Sequence, residues 1–220
     1  MTIRPASDRS LLVSFGDQIS PGARRQVLRL THSLEGLRPI RNLHPAFTSV
    51  LVEFDPRLTR QAEIEDLIRE KTLGQAGCAE QDMLETARQV EIPVRYGGEF
   101  GPDLEEVARH AGLTATRVVE LHASAEYLVY FLGFATFFVY LGGLPAEIAT
   151  PRLAAPRRHV PAGSVGIAGS QTGIYPMASP GGWRIVGRTD LRLLDLQAVP
   201  PPLVRMGDRV RFVPVAEVRS

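Results

Sequence analysis

A single cysteine, Cys78, stands among the 220 residues. An internal disulfide is therefore impossible. Cys78 lies in the polar GQAGCAEQ of residues 74–81, with no histidine or second cysteine beside it, and reads as an incidental thiol. Excess charge is missing too: 25 basic and 24 acidic side chains leave +1. That offers no basic face for a polyanion and argues against nucleic acid. No G-x-x-x-x-G-K-[ST] loop occurs, so any ATP is held by another device. His32, His44, His110, His122 and His159 are scattered without zinc spacing, and no metal site is expected. Ser164 sits in GSVG, outside the G-x-S-x-G pattern of a nucleophile elbow. The opening MTIRPASDRSLLVSFG has no basic segment followed by a long apolar core, so no secretory signal is expected and cytoplasm is the default. The most apolar run, residues 127–144, nears membrane-spanning length. Its three glycines among aromatic and β-branched residues assign it instead to buried strands.

With 44% hydrophobic and 22% charged residues, the composition is that of a folded protein. Residues 11–15 (LLVSF) read as a strand, and residues 24–35 as a helix with Val27, Leu30 and Leu34 on one stripe. Strands follow at 40–43 and 49–54, with His44-Pro45 turning between them and Asp55-Pro56 ending the second. Residues 61–71 form another amphipathic helix through Ile64, Leu67 and Ile68. Two helices on one face of a small sheet make an α+β unit resembling a ferredoxin-like sandwich, which we place at residues 1–86. A second domain, residues 87–220, opens with a strand at 90–94. A helix starts after Pro102 among acidic residues and stops at Gly112, and Thr114 caps the next, which runs to His122. Beyond Tyr127, short β-rich runs broken by Gly and Pro read as an antiparallel barrel or sandwich, with a turn at 145–148.

Residues 160–189 hold seven glycines: Gly163, Gly166, Gly169, Gly173, Gly181, Gly182 and Gly187. Glycine at this density suits either a ligand-binding surface or the corners of a tightly curved barrel. Gln171 and Thr172 stand between two of these glycines and can orient a carbonyl or carboxylate. Arg152 and Arg157 follow prolines, on stiff segments suited to bidentate contact with an anion. His122 ends a helix beside the apolar run, as a general base or a satisfied half-buried imidazole. Tyr127, Tyr140 and Tyr175 carry rings with a polar tip and read by default as core packing, and Trp183 reads as a barrel plug.

IPVRYGGEFGPDLEEVARHAGL (92–113), VVELHASAEYLVYFLGF (118–134), YLGGLP (140–145), TPR (150–152), VPAGSVGIAGSQTGIYP (160–176) and SPGGW (179–183) together resemble the bacterial 5-oxoprolinase B-subunit family; HPAFTSVLVEFDP (44–56) fits as well. The same family includes sporulation kinase inhibitors and is similar to the first subunit of allophanate hydrolase and to half of the carboxyltransferase domain of urea carboxylase. The resemblance implies an N-terminal α/β domain and a C-terminal cyclophilin-like β-barrel. It implies work with partner C and A subunits, which together use ATP to open 5-oxoproline to glutamate, and it leaves a homo-oligomer open. The residues weighed above supply the site candidates: Gln171 and His122 as catalytic, and Arg152, Arg157, Tyr175 and Thr172 as substrate-binding. Two other readings are a regulatory protein that inhibits a sensor histidine kinase and a biotin-dependent carboxyl-transfer half-site, although no biotin-acceptor segment occurs. One departure stands out. Where the family shows G-F-x-P-G-F-x-Y-L-G, residues 133–142 read GFATFFVYLG. Thr136-Phe137 in place of Pro-Gly favours continued strand over a tight turn, and puts a reshaped or strained loop there.

Overall fold

The structure is a computed structural model that describes residues 1–18, 20–73, 88–133, 137–195, 197 and 203–215. Cys78 and the stretch around it lie outside the described residues. The chain divides into two compact units, Met1–Thr86 and Ala87–Ser220.

In the first unit the chain runs β1 (Thr2–Ser7), β2 (Ser10–Ser14), α1 (Pro21–Leu34), β3 (Ile40–Pro45), β4 (Ser49–Phe54) and α2 (Gln61–Leu73). The sheet order is β1-β2-β4-β3, all antiparallel. Strand β4 alternates strictly: Val50, Val52 and Phe54 face the core, while Ser49, Leu51 and Glu53 face away. Val27, Leu30 and Leu34 of α1, with Ile64 and Ile68 of α2, cover that buried face. Ser20 caps α1 by accepting the Ala23 N–H at 3.1 Å, with proline in the first turn. The described order is ββαββα, whereas a ferredoxin-like sandwich runs βαββαβ. The difference is β1, which the sequence pattern hides: five of its six side chains are exposed, so no alternation marks it. Pairing with β2 through a tight hairpin makes it an edge strand.

The second unit contains β5 (Gln89–Tyr96), α3 (Leu104–Ala111), α4 (Ala115–Ser124), β6 (Tyr127–Gly133), β7 (Phe138–Gly142), a 3₁₀ turn (Ala146–Ile148), β8 (Arg157–Val160), β9 (Ser164–Ala168), β10 (Gln171–Ile174), β11 (Ser179–Gly181), β12 (Arg184–Arg188) and β13 (Arg209–Pro214). Seven strands close a barrel in the order β10-β7-β6-β13-β5-β12-β9, and the β9–β10 pairing completes the ring. Strands β8 and β11 form a separate two-stranded sheet. Ile92, Val94, Val129, Leu141, Val165, Ile167, Val186 and Phe212 fill the interior, and α3 and α4 add Val107 and Val118. Gly112, at φ 67°, ends α3 in the left-handed region, and Thr114 accepts the Arg117 N–H at 3.2 Å to start α4. No helix among the described residues is long and apolar enough to cross a membrane. Residues 127–133 and 138–142 are instead the neighbouring strands β6 and β7.

The expectation of continued strand through Thr136-Phe137 is corrected. Thr136 lies outside the described residues, but Phe137 occupies a turn at φ 60°, and β7 begins only at Phe138. Its side chain is 37% exposed. A phenylalanine thus holds a backbone conformation that suits glycine, so strain accompanies the missing Pro-Gly pair.

Candidate functional site

Strand β7 alternates like β4, but both of its faces are apolar. Val139 and Leu141 point into the barrel, which leaves Phe138 and Tyr140 on the outer wall. On the neighbouring strand β10, Gly173 stands opposite Tyr140, and a Cβ there would come within 2.7 Å of the Phe138 ring. The glycine lets that ring lie flat on the wall. Tyr175 and Trp183 join Phe138, with ring centroids at 4.7 and 5.0 Å and edge-on geometry, and Tyr140 approaches Trp183 at 5.8 Å. Gly181 of β11 is the second close approach: a Cβ on it would sit 2.3 Å from the Tyr175 hydroxyl.

These rings wall a groove of about 320 Å³, with Arg152, Pro156 and Gly182 along its other side. Arg152 places its guanidinium 5.7 Å from the Trp183 ring centroid. Two hydrogen bonds tie its loop to the floor, Leu153 N–H to Gly182 O at 2.8 Å and Arg184 Nε to Pro151 O at 3.2 Å. Burial raises the pKa values of the Tyr175 and Tyr140 hydroxyls, with Arg152 acting the other way on both. Both stay protonated at neutral pH and remain donors. A groove with flat apolar walls, one cation and phenolic donors suits a small, planar, anionic ligand.

The structure brings Arg152 and Tyr175 together here and sends the other sequence candidates elsewhere. His122 is 0% exposed, inside the barrel, with its ring stacked on Phe212 at 4.6 Å. Its Nε2 lies 2.9 Å from Thr172 Oγ1, whose hydroxyl donates to Gly166 O at 3.0 Å. Thr172 must then accept from Nε2–H, so Nδ1 accepts from the Tyr96 hydroxyl at 2.7 Å. Burial pushes the imidazole pKa down to about 3. A neutral ring with both nitrogens engaged and no solvent access leaves no face for a ligand. The structure places His122 and Thr172 in one buried, hydrogen-bonded polar thread, away from the groove.

Arg157 is placed elsewhere too. Its two terminal nitrogens donate to Asp103, Nη1 to Oδ2 at 2.9 Å and Nη2 to Oδ1 at 2.6 Å, so the fork intended for a ligand is already filled. Gln171 shares the outward face of β10 with Gly173 but does not line the groove; its Nε2 is buried with no hydrogen-bond partner among the described residues. Reasoning from sequence missed Asp103 and read Tyr140 and Trp183 as core. The available signal was the apolar run FVYLG opposite a glycine-bearing strand, which puts rings on the outside as well as the inside. A larger concavity of about 830 Å³ lies beside Gly163 and Met177. Of the charges that line it, Arg188 packs 4.6 Å from the Phe100 centroid and Asp190 is held by Arg95 at 2.5 and 2.6 Å, and Arg192 and Asp195 line it as well.

The family described as carboxyltransferase domain, subdomain C and D, matches residues 1–204. The chain is 42% identical over 228 residues to the 5-oxoprolinase B subunit of Bacillus subtilis, an alignment that covers 98% of this chain and 93% of that one. The chain belongs to the 5-oxoprolinase B-subunit family. A family relative in Escherichia coli O157:H7 is 59% identical over 131 residues, 60% of each chain. Among solved structures, a conserved uncharacterized protein of Pyrococcus horikoshii is 46% identical with a TM-score of 0.59, covering 98% of both chains. The Kluyveromyces lactis urea carboxylase, at 23% identity and TM-score 0.73, covers 98% of this chain and 22% of its own, and shares the fold.

Proposed function

We propose that the chain is the B subunit of an ATP-dependent 5-oxoprolinase, and that with the A and C subunits it opens 5-oxoproline to glutamate. The observation that carries this reading is the aromatic groove with Arg152 at its edge, in a chain whose Bacillus subtilis and Haemophilus influenzae relatives are both named as the B subunit of 5-oxoprolinase. The substrate class has matching chemistry. A lactam ring is flat enough to lie on Trp183 and Tyr140, its carboxylate pairs with Arg152, and its amide oxygen accepts from a tyrosine hydroxyl.

An unstrained lactam resists water because amide resonance stabilises the ground state and nitrogen is a poor leaving group. Phosphorylating the amide oxygen with ATP forms an O–P bond as ADP leaves. Water then adds to the activated carbon, the C–N bond breaks as nitrogen takes a proton, and a second water releases phosphate from the resulting acyl phosphate. The groove contributes placement of the ring and donors toward the oxygen on which charge develops. ATP is a co-substrate of the assembly, held by a device other than a phosphate loop of this chain. The assembly works in the cytoplasm, where ATP is supplied.

The test is reconstitution. The chain and the A and C subunits are assayed singly, in pairs and together for glutamate and phosphate released from 5-oxoproline and ATP. Turnover by the three together and not by this chain alone is expected. Robust 5-oxoproline-dependent phosphate release from the chain alone would overturn the partner requirement, and no glutamate from the complete mixture would overturn the function.

A further inference from the structure

We infer that Asp103 and Arg157 are positioning residues: together they set the width of the aromatic groove by tying its two sides to one buried carboxylate. The inference rests on the proposed function only for the identity of the ligand.

Asp103 directly precedes α3, where an aspartate ordinarily caps the helix with its own side chain, yet here it makes no such bond. Its carboxylate turns to the wall instead, and the side chain is 6% exposed. Oδ2 accepts the Ile185 N–H at 2.6 Å, which fixes β12 two residues beyond Trp183. The same carboxylate takes both terminal nitrogens of Arg157 at 2.6 and 2.9 Å. Arg157 opens β8, next to groove-lining Pro156, and is paired across the small sheet with Gly181. Gly181 is the residue against which the Tyr175 hydroxyl is packed. One side of the groove therefore hangs from β12 and the other from the β8–β11 sheet, and the separation between them is set where both meet Asp103. A bidentate, charge-assisted pair is directional as well as attractive, so it fixes the orientation of β8 in a way that a single point charge does not.

The consequence is a division of labour between two arginines that both follow proline. Arg152 faces the ligand. Arg157 never touches it, and acts through the distance between Gly181 and Trp183.

Trp183 is the only tryptophan in the chain and lines the groove, so its fluorescence reports the groove directly. The variants are Arg157→Lys, which keeps the charge and loses the fork, and Asp103→Asn, which keeps an acceptor for Ile185 and loses the ion pair. We expect acrylamide quenching of Trp183 to increase in both without ligand. In the reconstituted assembly, kcat/KM for 5-oxoproline should fall on the order of 10²-fold, carried by KM, while KM for ATP holds. A variant that merely lost folded molecules would lower apparent kcat at unchanged KM. Wild-type quenching together with a wild-type KM for 5-oxoproline in either folded variant overturns the inference. If the wild-type assembly does not turn over 5-oxoproline, the functional reading falls, and quenching alone then decides the clamp: an increase upholds it and no change overturns it.

Discussion

Lowering the pH tests the interior of the barrel through His122. Folded, the imidazole is neutral, and its pKa is pushed down to about 3 by burial; unfolded, it returns to about 6.5. Between those values the unfolded chain binds a proton that the folded chain refuses, so stability rises with pH across this window. The contribution is fully present above the unfolded value and is lost as pH falls from there toward 3. At pH 5 the gap from 6.5 is about 1.5 pH units, which at 1.36 kcal/mol per unit amounts to about 2 kcal/mol. That is a large share of a typical domain stability. The assay is urea unfolding at a series of pH values, followed by Trp183 fluorescence, which reports the barrel unit alone. The reference is His122→Asn, whose amide can donate and accept but does not titrate. Subtracting one curve from the other removes the titration of every carboxylate the two proteins share. The difference should be level above pH 7 and fall by about 2 kcal/mol by pH 5. A difference that stays level from pH 7 to pH 5 refutes the buried neutral assignment.

Three further outcomes are expected. Phe137→Gly relieves a left-handed backbone that costs roughly 1–2 kcal/mol but gives up the covered part of a ring that is 37% exposed, an effect of similar size, so stability should stay within about 1 kcal/mol of the parent; a loss of clearly more, read from the melting temperature, shows that the ring contributes more than its backbone costs. Gly181→Ala forces a methyl group against the Tyr175 hydroxyl and should cost roughly 1–3 kcal/mol; Tyr175→Phe in the same chain should recover part of the loss, and full stability of the single variant would contradict the close approach. Arg152→Ala should leave melting within about 0.5 kcal/mol of the parent while raising KM for 5-oxoproline on the order of 10- to 100-fold in the assembly; an unchanged KM removes Arg152 from the site.

Local signals were the legible ones. The stripe Val27, Leu30, Leu34 placed α1, the Gly112 stop and the Thr114 cap placed α3 and α4, and the alternation of SVLVEF placed β4, because each depends on neighbours within a few residues. The strand β1 has no such pattern and exists through its hairpin. Barrel texture was legible from spaced glycines, but the strand order was not, since pairing partners lie far apart in sequence. The groove suffered most. Arg157 reads as a free arm until Asp103, 54 positions earlier, is seen to fill its fork. Tyr140 and Trp183 read as core because an aromatic residue on the outer wall carries the same local pattern as one inside. The glycines at 173 and 181 proved to be spaces cleared for rings, which joins the two explanations that their density had left open.

The parallel pairing of β13 with β5 has a consequence for how the protein is made. Arg209–Pro214 lies in register with Gln89–Val94 and also pairs with β6, so the seam of the barrel is supplied by the last of its seven strands to leave the ribosome. Arg88 and Asp208, bonded across 120 positions, fasten the same seam. Until β13 emerges, β5 and β6 have an open edge between them, and the nascent barrel must wait, exposed and able to pair with other chains, for the strand that closes it. The first unit holds its own core and sheet within the first 73 residues and can fold during that wait. Synthesis thus divides in time where the structure divides in space.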